Sequence, residues 1–145
     1  MKKNLAPLGK NEYQESHDVR KIEVDQIRRA QAEGLICGVI PRNGQLRERK
    51  EIDDIIDRVD MTNIFMTALD GLMREDWRDP FSFFQIAGIH REPWTAWNRI
   101  QPGNDSENLQ AGYCSHSSIL FPTWHRAYLM MLEQSIYLRM VDLAE

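Results

Sequence analysis

Of the four histidines in this chain, His90, His116 and His125 fall within 36 residues of one another, in the apolar settings QIAGIH, YCSHSS and PTWHRAY. Imidazole is a borderline ligand suited to copper and zinc, and three neutral imidazoles on one ion leave a coordination position open to a small molecule. Taken singly, each reads as a hydrogen-bonded, half-buried histidine. Taken together, they read as a candidate ligand set. Cys114 stands two residues before His116, and in an extended segment residues i and i+2 face the same side, which makes its sulfur a neighbour of the ring. Three roles are open to such a cysteine: a small buried hydrophobe, a fourth ligand, or a covalent partner of His116. His17, in the charged stretch ESHDVRK, reads as a solvated surface residue.

Ligands must be carried by elements that can meet. Residues 1 to 34 are polar and charged, with a helix expected in VRKIEVDQIRRAQAEG that Gly34 ends. LICGVIP follows, a short strand or a buried extended strip closed by Pro41. From Glu48 to about Glu75, apolar residues including Ile52, Ile55, Ile56, Val59, Phe65, Met66, Leu69, Leu72 and Met73 recur at spacings of three and four, the pattern of one amphipathic helix. Asp79 and Pro80 look like the cap and first position of a second helix, which runs through FSFFQIAGIH and carries His90 near its end. The stretch from Arg91 to Tyr113 reads as a long loop of the kind that serves a site, anchored by Trp94 and Trp97. Pro122 opens a last helix through Glu145, with His125 in its first turns and Trp124, Tyr128, Met131, Leu132, Ile136 and Met140 as its buried candidates. The helices carrying His90 and His125 can pack antiparallel and bring both rings to one level, while His116 arrives from the loop.

The chain has 145 residues, 42% of them hydrophobic, and a formal net charge of −4. This length suits one compact unit, and mixed charges without a basic stripe argue against nucleic acid or a membrane surface as partner. The N-terminal MKKNLAPLGKNEYQ has no apolar core behind its basic residues, and no apolar run is long enough to span a bilayer, so a cytoplasmic setting is expected. Two cysteines, Cys37 and Cys114, make no disulfide framework.

The run FFQIAGIH, then REPWTAW, YCSHSS and LFPTWHRAYLMMLEQ, resembles the first copper-binding half of tyrosinases and polyphenol oxidases of the fungal type, over about residues 46 to 140. The resemblance implies a mainly α fold: part of a tyrosinase-type four-helix bundle with long loops, incomplete in this chain. It divides the chain into an N-terminal extension, 1–45, and the first-copper half of a catalytic domain, 46–145. In that family two coppers, each held by three histidines, use dioxygen to oxidise phenols and o-diphenols to o-quinones, the chemistry behind melanin biosynthesis. His90, His116 and His125 match the ligands of the first copper, and Cys114 matches the cysteine that forms a thioether with the histidine corresponding to His116. Phe121 matches an aromatic that shields the copper, and Arg126 and Glu133 match buried polar positions that need partners.

The second copper of the family has no counterpart here, since no histidine follows His125. A complementary polypeptide half is therefore expected to supply it, covering an apolar face that includes Leu129, Met130, Met131, Leu132 and Ile136; the chain's closing run MVDLAE, still helical in pattern, points the same way. The leading expectation is a copper oxidase of phenols that holds one copper in this chain. Its rivals are a non-catalytic single-copper or interaction module, an oxygen carrier, and a zinc hydrolase for which no general base stands out.

Overall fold

A computed structural model of the chain describes residues 23–39, 48–90, 97, 113, 114 and 116–145. Five helical segments lie among the described residues: α1 over 23–32, α2 Ile52–Ile56, α3 Val59–Met73, α4 Phe83–His90 and α5 Phe121–Ala144. Among the described residues there is no β-strand, and no helix is long and apolar enough to cross a membrane. His17, Trp94 and most of the expected long loop lie outside the described residues.

Packing is organised along α5. Pro122 sits in its first turn, where a missing N–H costs nothing. Met131, Gln134, Ser135 and Leu138 are its buried residues, at the i, i+3, i+4, i+7 spacing of one helix face. The helix begins at Phe121 and ends at Ala144, within a residue of the expected bounds. Its N-terminal half packs on α4 through a cluster of Phe81, Ile86, Ile89 and Met131, and its C-terminal half packs on α1 through Val24, Ile27 and Leu138. Phe81, ahead of α4, lines a cleft with Leu138, while His90 at the other end of α4 reaches His125. The two helices therefore run antiparallel, as expected.

α1 ends as its glycine foretells. Gly34 adopts φ +75, Leu35 N donates to Ala30 O at 2.8 Å and Gly34 N to Gln31 O at 2.9 Å, the paired bonds of a left-handed helix stop. Beyond it the chain forms neither a strand nor a buried strip: residues 35–38 are irregular, with Leu35, Ile36 and Cys37 exposed. Gln134 explains the departure. Fully buried on α5, it accepts from the backbone N–H groups of Cys37 and Gly38 at 3.0 Å each and donates to Gln31 Oε1 at 3.2 Å. A side-chain amide thus takes the place of a strand partner. Gly38 is required there by its φ of +70, and a Cβ would also displace the tip of Met130, whose Cε it would meet at 2.8 Å.

The expected helix from Glu48 to Glu75 is two helices. Arg58 is extended (φ −114, ψ 101), and the Thr62 hydroxyl donates at 2.8 Å to Ile55 O, the carbonyl that a continuous helix would have given to Val59 N–H. Burial also departs from expectation. Only Ala68 and Leu72 of α3 are buried, and Ile52, Ile56, Val59, Met66 and Met73 are exposed. The amphipathic period is present, but among the described residues α5, with lesser contacts from α2 and α4, covers only part of it.

α4 begins three residues later than its Asp-Pro signal suggests. The Asp79 carboxylate accepts from Phe81 N at 2.7 Å and so closes a turn, while Ser82 Oγ accepts from Gln85 N at 3.3 Å and caps the helix. Ion pairs link the elements at the surface: Arg28 of α1 with Asp142, Glu75 beyond α3 with Arg139, and Arg49 with Glu133. Each contributes about 0–1 kcal/mol, so apolar packing and Gln134 decide the arrangement.

Replacing Gln134 with Leu keeps the volume but strands the Cys37 and Gly38 N–H groups. The expected loss is about 2–4 kcal/mol, read as a fall in the urea midpoint of the chain.

Candidate metal centre

The three candidate histidines are brought together by three different local devices. His90 is the last residue of α4, held against α5 by the buried neighbour Ile89. His125 lies in the second turn of α5, and its Nδ1 is 2.8 Å from the carbonyl oxygen of Phe121, one turn earlier. A carbonyl only accepts, so Nδ1 carries the proton and Nε2 presents its lone pair to the cluster. His116 is exposed on an irregular turn. Ser117 beside it has φ +58, and Ser118 leads into α5 by accepting from Leu120 N at its hydroxyl and from Phe121 N at its carbonyl, both at 3.0 Å.

Cys114 reaches the cluster because Tyr113 fastens it to the end of α4. Tyr113 N donates to Ile89 O at 3.2 Å, satisfying a carbonyl of the last helical turn, and its hydroxyl accepts from Trp97 N at 2.8 Å. Trp97 in turn donates its indole N–H to Pro80 O at 2.7 Å and meets Phe81 edge-on. This brace runs from one end of α4 to the other.

The result is a tight knot of donors. Ligand atoms of His90, Cys114, His116 and His125 all lie within 4.8 Å of one another. The ring centroids of the three histidines form a nearly equilateral triangle with sides of 5.4, 5.4 and 5.5 Å. Nε2 of His90 and of His125 are 3.4 Å apart, and Cys114 Sγ lies 3.4 Å from His116 Nε2 and 3.3 Å from His125 Nε2. Cys114 thus neighbours His116, as the spacing predicted, and His125 to the same degree.

Aromatic rings enclose the knot on two sides. Phe121 lies tilted against His125 at 4.0 Å and against His116 at 5.7 Å, while remaining 42% exposed. Trp124 and Tyr128 stack on each other at 5.4 Å and flank His90 at 6.1 and 5.5 Å. Burial pushes the Cys114 thiol above its ordinary range. Burial raises the Tyr128 phenol too, with the neighbouring Cys114 charge adding to it.

Of the two further polar positions, Glu133 is half-buried and finds a partner in Arg49. Arg126 is exposed: one residue after His125, it points off the packed face of α5, so the expectation of burial fails there. Three contributors escaped the sequence reading, namely Tyr113, the Phe121 carbonyl and Gln134. Gln134 left a visible signal, being polar in register with Met131 and Leu138 on an apolar stripe. The Phe121 carbonyl and the Tyr113 N–H act as backbone groups, which residue types do not reveal.

With all donors neutral imidazole or thiol and no carboxylate in the group, the set fits a soft or borderline transition-metal ion and not calcium or magnesium. Comparison with known proteins agrees. Residues 80–143 match the common central domain of tyrosinase. Polyphenol oxidase 2 of Agaricus bisporus is 39% identical over 112 residues, covering 77% of this chain and 19% of the relative. A tyrosinase of Podospora anserina is 38% identical over 98 residues, covering 66% and 17%. The solved holo-protyrosinase from Aspergillus oryzae superposes with a TM-score of 0.65 at 36% identity, over 74% of this chain and 20% of that one. Helical fold and histidine-rich centre together define a member of a copper-enzyme class. The chain belongs to the tyrosinase family, and it spans about a fifth of the length of these relatives.

Imidazole ¹⁵N spectra of the metal-free chain are expected to show His125 as the Nδ1–H tautomer, in the Phe121→Ala variant as well, since a backbone carbonyl and not the ring imposes it. A His125 ring protonated at Nε2 in both proteins would contradict this geometry.

Proposed function

We propose that this chain supplies the first copper site of a phenol-oxidising centre, with His90, His116 and His125 as ligands and a complementary polypeptide segment providing the second site. The single observation that supports the reading most is the triangle of ring centroids with sides of 5.4, 5.4 and 5.5 Å, in which Nε2 of His90 and of His125 are 3.4 Å apart. Helix-borne His90 and His125 hold their orientation through packing and through the Phe121 carbonyl; His116 depends on its turn. Copper, when bound, would supply the electron-transfer chemistry by which dioxygen oxidises phenols and o-diphenols to o-quinones. The chain's own residues set the surroundings. Phe121 packs against His125 and His116, and the Trp124–Tyr128 pair flanks His90. Exposed Ile119 and Leu120 extend an apolar rim from Phe121, suited to an aromatic substrate or to the complementary segment.

The proposal includes a thioether between Cys114 and His116. Joining Sγ to a ring carbon removes the thiol hydrogen and the ring C–H hydrogen, and dioxygen takes up both with their electrons to give hydrogen peroxide. The sulfur already lies beside the ring.

Metal analysis of the copper-loaded chain should give one copper per chain. Replacing any of the three histidines by Ala should weaken binding at least about 100-fold, more than the loss of a second-layer contact costs. The loaded chain, reassembled with the remaining part of a family catalytic domain, should convert a catechol to its o-quinone, and intact mass should show the loss of two hydrogens on cross-linking. One copper per chain without any quinone in the reassembled pair would reduce the reading to a non-catalytic half-site, and copper binding indifferent to all three substitutions would remove it.

A further inference from the structure

Cys114 lies in the same small volume as the three imidazole nitrogens, and its spacing from them has its own meaning. In a tetrahedral zinc site, metal–nitrogen bonds near 2.0–2.1 Å and a metal–sulfur bond near 2.3 Å set the ligand atoms about 3.3–3.6 Å from one another along each edge. The edges available here are 3.4 Å between His90 and His125, 3.4 Å between Cys114 and His116, and 3.3 Å between Cys114 and His125, with every other pair within 4.8 Å. Two of the three sulfur edges and one nitrogen edge therefore already have the tetrahedral length, and the remaining edges close within 4.8 Å. A spectator cysteine packed behind one ring would show no such equality with a second ring.

We propose that, before any cross-link forms, the chain is a closed four-coordinate zinc site in which the Cys114 thiolate joins His90, His116 and His125. This zinc site rests on the same convergence of three histidines that supports the copper reading, but it assigns the cysteine a different role. A thiolate fills the position that three imidazoles alone would leave open, so the zinc-loaded chain has no vacancy for dioxygen or a phenol. Zinc has no redox chemistry to drive C–S bond formation, and a metal-bound thiolate is withdrawn from it. The chain is then held in an inert, ordered form. Copper(II) binds nitrogen and sulfur ligands more tightly than zinc and displaces it. Once the thioether exists, the sulfur carries no proton to lose and can no longer serve as a thiolate ligand, so metal choice and cross-linking become coupled: zinc before the link, copper after it.

The test uses the reduced, metal-free chain with cobalt(II) as a spectroscopic stand-in for zinc. Wild type should take one cobalt and develop a thiolate-to-cobalt charge-transfer band in the near ultraviolet together with the intense visible bands of a tetrahedral ion. The band should be absent in Cys114→Ala, whose zinc affinity should fall at least about 100-fold, since a direct ligand counts for more than a second-layer contact. An independent measurement on wild type guards against a variant that fails to fold. Zinc should slow alkylation of Cys114 about ten-fold or more by engaging the thiolate that reacts. Exposed Cys37, alkylated in the same tube, should keep its rate and serves as the internal reference. A cobalt complex without the charge-transfer band, or equal alkylation of Cys114 with and without zinc, overturns the zinc site. If copper still binds through the histidines in that case, the copper reading survives alone; a chain that binds neither metal overturns both.

Discussion

Three imidazole nitrogens that are to share one ion must be held within a few tenths of an ångström of a common centre, although two of them are carried on different helices and one on a turn. That demand organises the described part of this chain. α5 must bring His125 to the level of His90, so its first half packs on α4 through Met131, Ile86 and Ile89. The second half of α5 must be fixed too, or the helix would pivot; α1 and the Gln134 clasp do this at a distance from the site. Gln134 and Met131 lie one helical turn apart on the same face, so the clasp and the metal-side core share one rigid element.

The same demand separates the ligands by how securely they are held. His90 ends a helix whose last turn is tied by Tyr113, and the His125 ring is fixed at both ends, by its helix and by the Phe121 carbonyl. His116 is exposed and follows no helix, and Ser117 next to it occupies a left-handed conformation that costs a non-glycine residue about 1–3 kcal/mol unless its surroundings enforce it. The two serine bonds into α5 supply that enforcement.

Much of this was legible in the residues because the signals were local. His90 at a helix end, His125 in the opening turns of a helix begun by proline, and Gly34 as a helix stop all follow from periodicity and capping chemistry. Clustering in apolar settings singled out the three histidines that the fold brings together, and family resemblance matched them to the ligands of one copper. What escaped depended on side chains capturing backbone groups, in one case nearby and in the other from a distant segment. The break at Arg58 turns on a hydroxyl four residues on, at Thr62, capturing the Ile55 carbonyl, and the irregular course of residues 35–38 turns on an amide almost 100 residues away. Burial on α2 and α3 was overread for a related reason. A helical period states which face is apolar, and only the neighbouring element determines whether it is covered, so Ile56, Val59 and Met66 keep the pattern and remain exposed.

The chemistry of the centre turns on a single sulfur. Without Cys114 the donor set is three neutral imidazoles, which hold copper and zinc alike and leave a position open. With the cysteine as a free thiol, four donors within 4.8 Å of one another suit a closed tetrahedral ion; were its sulfur joined to His116, three nitrogens would remain and the turn ligand would gain a covalent restraint. His116 is the ligand that packing secures least. A link at that ring would therefore remove more freedom than one at His125, which Phe121 and α5 already hold, even though the sulfur stands as close to either. Unequal restraint around an evenly spaced sulfur is a physical reason for the proposed cross-link to involve His116.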